Sequence, residues 1–121
     1  MDPLIFVIFG ASGDLARRKL IPAIYDLYKE NHLPDSFALL GVSRTDLSDE
    51  AFRESIFLKN ELLDLSGESE AHMQGFVQKL FYESIDTAAA AEYERVRLRL
   101  EALNSQFQTQ GNYIFYLSTP P

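Results

Sequence analysis

The chain has 121 residues, 46% of them hydrophobic and 24% charged, with a formal net charge of −7 and no cysteine. That length suits one domain with a real core. The absence of cysteine excludes disulfides and thiolate chemistry and fits a cytoplasmic protein. The acidic balance argues against a nucleic-acid or anionic-membrane surface, because both want a broad basic face.

Leu4 to Phe9 is an unbroken apolar run that stops at Gly10. It is too short for a stable helix and is expected as a strand buried on both faces. Asp14 to about Asn31 has helical spacing, with Leu20, Ile24, Leu27 and Tyr28 on one stripe, and Pro34 closes that element. Phe37 to Val42 is a second apolar run with Gly41 near its end. Ser48 is a good N-cap, followed by Asp49 and Glu50, with Phe52 and Ile56 starting a buried face. A short helix is expected over Glu70 to Gln78, and a third strand over Leu80 to Ile85. Asp86 or Thr87 is placed to cap a long helix whose apolar seam is Tyr93, Val96, Leu100, Leu103 and Phe107. Glu92, Glu94, Arg95, Arg97, Arg99 and Glu101 read as its solvated face. Gly111-Asn112 is a turn, and Tyr113 to Leu117 a fourth strand.

Strands alternating with helices predict an α/β fold, a Rossmann-like doubly wound parallel sheet of about four strands in the order 3-2-1-4. Such sheets bind ligands at the carboxyl ends of their strands, where the order reverses. Here that places the turn after the first strand beside Ser118-Thr119-Pro120-Pro121. A doubly wound domain usually continues past its fourth strand. The whole of 1–121 is therefore expected to be one truncated coenzyme domain of a longer protein. Met1-Asp2-Pro3 lacks the basic region of a signal peptide, and no apolar stretch is long enough for a bilayer. His32 and His72 are far apart without partners at ligand spacing, so no metal site is expected.

The turn reads Gly10-Ala11-Ser12-Gly13-Asp14-Leu15-Ala16, a G-x-x-G-x-x-A pattern between a strand and a helix. That is the context of a dinucleotide fingerprint, with Ser12 where a second glycine would stand. Gly10 allows the tight turn, Gly13 lets backbone N–H groups approach a diphosphate, and Ala16 lets the helix lie close to the sheet. The helix N-terminus adds unpaired donors and partial positive charge. Arg44 follows the second strand, where NAD-binding domains usually carry an acid for the ribose hydroxyls. An arginine there pairs instead with the 2′-phosphate of NADP. Ser43 and Thr45 can add hydrogen bonds. Lys19 stands out from Arg17 and Arg18 because Pro22 follows it. Proline removes its own N–H and clashes with the carbonyl of residue i−4, Arg18, so the helix should kink and aim Lys19 at the site.

GASGDLARRKLIP, with GVSRTDLS and FYLSTPP further on, resembles the start of the glucose-6-phosphate dehydrogenase family over essentially the whole chain. The resemblance implies the NADP-binding domain of an enzyme that oxidises glucose 6-phosphate to 6-phosphogluconolactone in the oxidative pentose phosphate pathway. The complete protein would be cytoplasmic and a homo-oligomer. By position, Gly10, Ala11, Ser12, Gly13, Asp14 and Leu15 would hold the diphosphate and Arg44 the 2′-phosphate. Lys19 would lie near the substrate and nicotinamide, and the loop containing Thr119 and Pro120 would border the nicotinamide. Glu83 and Ser84 would lie by the adenosine half. The family's substrate-binding lysine-proline motif and catalytic histidine fall beyond this chain, and neither His32 nor His72 matches them. No catalytic residue is expected in these 121 residues, which alone should be inactive. A coenzyme domain of another NADP-dependent reductase and a stand-alone dinucleotide sensor are the competing readings.

Overall fold

The structure, a computed structural model, describes residues 3–11, 16–34, 36–57, 75–86 and 89–117, with backbone only at Arg17, Arg18, Ile56 and Phe57. Strand β1 spans Leu4–Phe9 and ends at Gly10. A π-helical turn, Ala16–Leu20, leads into α1, Ile21–Lys29. Strand β2 is Phe37–Ser43, α2 is Asp49–Phe57 and β3 is Leu80–Ser84. A 3-10 turn, Ala90–Glu92, opens α3, Tyr93–Phe107, and β4 is Tyr113–Leu117.

The four strands form one parallel sheet in the order β3-β2-β1-β4, as the alternation of elements predicts. All four carboxyl ends therefore lie on one side. The pleat sends alternate side chains to opposite faces. Phe6 and Ile8 of β1, Phe37 and Leu39 of β2, and Leu80 and Tyr82 of β3 share one core with Ile21, Ile24 and Tyr25 of α1 and Phe52 of α2. Ile5, Val7, Ala38, Leu40, Val42 and Phe81 form the other with Val96, Leu100 and Leu103 of α3. Each fully buried side chain of this kind is worth roughly 1.5–3 kcal/mol, against about 0.2–1 kcal/mol for an exposed ion pair. Apolar burial, not the charged face, therefore docks α3.

Three expectations change. On α1 the buried stripe is Ile21, Ile24 and Tyr25, with Leu20 and Tyr28 packed beside it, while Leu27 is 41% exposed. Within α1, Leu27 falls on the flank of the stripe centred on Ile21, Ile24, Tyr25 and Tyr28, and so turns outward. The entry to α3 has no side-chain cap. Its turn closes through backbone, with the Ala89 N–H on the Asp86 carbonyl at 3.0 Å. Asp86 lies too far upstream to reach the first helical donors, and Thr87 lies outside the described residues. The face of α3 read as solvated is only partly so, since Arg99 pairs with Asp49 and Glu83, and Arg95 with Glu83.

Ser48 caps α2 as expected, its Oγ accepting the Ala51 N–H at 3.1 Å. Of the helix expected over 70–78, Gly75 to Val77 are helical, Gln78 lies in a turn, and the rest falls outside the described residues. Among the described residues no helix is long and apolar enough to cross a membrane, and no cluster of metal-ligating side chains occurs.

Candidate functional site

The end of β1 turns sharply onto β2. Gly10 has φ 81°, a left-handed conformation that side chains resist. The N–H groups of Gly10 and Ala11 both donate to the Val42 carbonyl, at 2.7 and 3.3 Å. This draws the start of the glycine-rich loop over the carboxyl end of β2. Ala11 is fully buried there. Gly41 makes room for it: a Cβ on Gly41 would lie 2.7 Å from the Ala11 Cβ and 2.9 Å from the Phe52 ring. Its role as a spacer has no local sequence signal, because it depends on the register of β2 against β1 and β3. Ala16 is also fully buried, which fits the close approach its small side chain predicts. Ser12, Gly13, Asp14 and Leu15 lie outside the described residues, as do Thr119 and Pro120.

Arg44 follows β2 directly and is exposed. It makes no ion pair or hydrogen bond among the described residues, so its guanidinium is available to an anion. Beside it opens a cleft of about 330 Å³ lined by Arg44, Ser84, Ile85, Asp86, Glu92 and Arg95. Ser84 thus lines this cleft together with Arg44. Glu83 does not, because its carboxylate is turned to α3, with Arg95 at 2.9 Å and Arg99 at 3.4 Å.

The loop that carries Arg44 is fastened from below. The Tyr82 hydroxyl donates to the Thr45 carbonyl at 2.6 Å and accepts from the Ser43 hydroxyl. The Tyr82 ring packs against Phe52 with centroids 5.0 Å apart. Its backbone N–H donates to Asp49 Oδ1 at 2.7 Å. A strand tyrosine reads in sequence as core, and its contact with the loop was not legible there.

Lys19 sits exposed in the π turn, three residues before Pro22. Pro22 occupies the first turn of α1, where its missing N–H costs no helical bond. The expected mid-helix position for Pro22 is thus corrected: α1 starts at Ile21, and a π turn, Ala16–Leu20, precedes the proline. His32 is exposed on the loop after α1, 3.7 Å from Glu30. The arrangement suits an anionic dinucleotide: a tight loop over the sheet, a helix entry behind it and a cation at the next strand end. No described side chain is set up as a general base.

The chain matches a family model described as the glucose-6-phosphate dehydrogenase NAD binding domain over residues 7–121. It is 45% identical over 115 residues to the glucose-6-phosphate 1-dehydrogenase of Aggregatibacter actinomycetemcomitans, covering 95% of this chain and 23% of that protein. It is 41% identical over 122 residues to that of Treponema pallidum, covering 98% of this chain and again 23% of the relative. A solved glucose-6-phosphate dehydrogenase in complex with its substrate glucose-6-phosphate superposes with a TM-score of 0.87 at 29% identity, covering 99% of this chain and 25% of that one. The chain therefore spans less than a third of the length of the proteins it matches.

Proposed function

Since the chain belongs to the glucose-6-phosphate dehydrogenase family, we propose that it forms the coenzyme-binding domain of an enzyme that oxidises glucose 6-phosphate to 6-phosphogluconolactone with NADP as acceptor. The observation that carries the cofactor choice is the placement of Arg44, an exposed cation directly after β2 that lines the cleft with Ser84. In this reading the Arg44 guanidinium pairs with the 2′-phosphate, Gly10 to Leu15 present backbone donors to the diphosphate, and Ser84 borders the adenosine half. Lys19 faces the reacting end, where Thr119 and Pro120 border the nicotinamide. Glu83 acts at one remove, by holding Arg95 and Arg99. The nicotinamide, when bound, supplies the hydride-accepting chemistry, and a general base outside this chain takes the hydroxyl proton.

Two observations support this reading: Gly10 has the left-handed conformation of a tight loop, and Arg44 makes no ion pair or hydrogen bond among the described residues. Family resemblance supports reading the complete protein as a cytoplasmic homo-oligomer of the oxidative pentose phosphate pathway. The length of the relatives supports an enzyme over a stand-alone sensor. A second reading, use of NAD as well as NADP, is favoured by the acidic residues Asp86 and Glu92 among those that line the same cleft, since acids suit ribose hydroxyls. The test is reduction of either cofactor by the complete protein with glucose 6-phosphate. NADP is expected as the better substrate. Turnover with other sugar phosphates but not this one would overturn the proposal, and equal kcat/KM with both cofactors would favour the second reading.

A further inference from the structure

We infer that Tyr82 is a positioning residue for cofactor choice, setting the Arg44 guanidinium by clamping the loop on both sides of it. This rests on the reading of Arg44 as the 2′-phosphate group. The hydroxyl of Tyr82 engages Ser43, the residue before Arg44, through its side chain, and Thr45, the residue after it, through its carbonyl. Tyr82 is 3% and Ser43 6% exposed, whereas Arg44 is exposed. A buried two-point clamp thus holds the backbone from which an open cation projects. The clamp is itself held. Its ring lies over Gly41, where a Cβ would come 3.3 Å from its Cδ1, and against Phe52. Its N–H is taken by Asp49 at 2.7 Å. An arginine side chain has many rotamers, and fixing the residue on each side of it lowers the cost of meeting a phosphate. The gain falls on the cofactor that carries the 2′-phosphate, because NAD offers nothing for Arg44 to meet.

The test uses the complete protein carrying this chain, with kcat and KM for NADP and for NAD measured in the wild type, Tyr82→Phe, Arg44→Ala and the double variant. Tyr82→Phe keeps the ring and removes the clamp. Its preference for NADP over NAD is expected to fall roughly three- to tenfold, the usual weight of one hydrogen bond. The loss should sit in KM for NADP more than in kcat, and it should vanish in the Arg44→Ala background. A loss of the same size in that background, or no loss beside a large effect of Arg44→Ala, overturns the positioning role while leaving the role of Arg44 intact. No change of preference in Arg44→Ala overturns the reading of Arg44 and the inference with it. Should Tyr82→Phe fail to fold, Ser43→Ala removes one arm of the clamp. A smaller fall in the same ratio is then expected, and an unchanged ratio counts against the clamp.

Discussion

The Arg99 guanidinium meets the Asp49 carboxylate at 2.5 Å, around the outer edge of β3. Arg99 belongs to α3 on one face of the sheet and Asp49 to α2 on the other. Among the described strands β3 lies at the edge of the sheet, and outward backbone groups at an edge are a template for unwanted pairing. Two of them are taken by α2: the Tyr82 N–H by Asp49 Oδ1 at 2.7 Å, and the Leu80 carbonyl by Arg53 Nε at 2.7 Å. Asp49 and Arg53 are four apart, so one helix face serves both groups.

Asp49 is therefore worth more than its ion pair. The half-buried pair with Arg99 contributes on the order of 1 kcal/mol, whereas the hydrogen bond from the Tyr82 N–H to a charged acceptor is worth about 1.5–3 kcal/mol. Asp49→Asn keeps an acceptor and is expected to lower stability by less than about 1 kcal/mol. Asp49→Ala loses both interactions and should cost about 1–3 kcal/mol, with a greater tendency to aggregate. Denaturant midpoints of the two variants, compared with light scattering, check this. Equal losses would show that the ion pair, not the edge bond, carries the effect.

Gly41→Ala is expected to destabilise by about 1–3 kcal/mol, the usual range for overpacking. The added methyl meets Ala11 Cβ at 2.7 Å and the Phe52 ring at 2.9 Å. Ala11 cannot retreat without moving the glycine-rich loop, so cofactor affinity should fall along with the denaturation midpoint. A stable variant whose affinity matches the wild type would show that the loop is not pinned at this point.

Arg44→Ala should weaken NADP far more than NAD. It removes a charge-assisted hydrogen bond worth about 1.5–3 kcal/mol, or roughly ten- to 150-fold in affinity. Cofactor titration of the complete protein at fixed ionic strength reads this directly. Equal losses for both cofactors would remove Arg44 from the 2′-phosphate.

How much of this was legible in sequence follows the range of the interactions. The four strands announce themselves as apolar runs bounded by Gly10, Pro34 and Gly111, and their order follows from alternation with helices and right-handed crossovers. Gly10 and Arg44 were legible because the chemistry of each is local: a turn needs the one, and a strand end displays the other. Gly41, Tyr82 and Asp49 were not. Their roles arise where β2 lies beside β3 and where the helices meet at the edge strand, and only the assembled register brings Gly41 under Tyr82. The exposure of Leu27 was missed because it lies on the flank of the stripe that Ile21, Ile24 and Tyr25 define, and apolar residue type alone does not separate flank from centre.

On α3, the hydrogen bond from Arg97 holds the Glu94 carboxyl below its ordinary value of 4.5, and Arg97 is raised by the same contact and by Glu101. A carboxyl lowered in the folded state contributes stability above its unfolded value. That contribution is lost as pH falls through the folded value. Glu94→Gln should therefore be slightly less stable than the wild type at neutral pH, with the gap closing below about pH 4.5 and shrinking with added salt. Both side chains are exposed, so the gap is small. A gap that added salt leaves unchanged would point to packing instead of charge.

Pro22→Ala separates stability from function at the start of α1. In the first helical turn the proline costs nothing, so the variant should be about as stable as the wild type. Alanine restores an N–H. That donor can reach the Arg18 carbonyl, four residues back, and complete a regular α turn where the π turn now stands. Converting the turn would rotate Lys19, its fourth residue, relative to α1. If the π turn aims Lys19 at the reacting end, turnover should fall in Pro22→Ala while NADP affinity, set by Arg44, holds. Lys19→Ala should lose at least as much turnover, and adding Pro22→Ala to it should lose no more. Unchanged turnover and affinity in Pro22→Ala would leave the proline as a helix starter alone, and a lower denaturation midpoint would trace any loss to packing instead of aim.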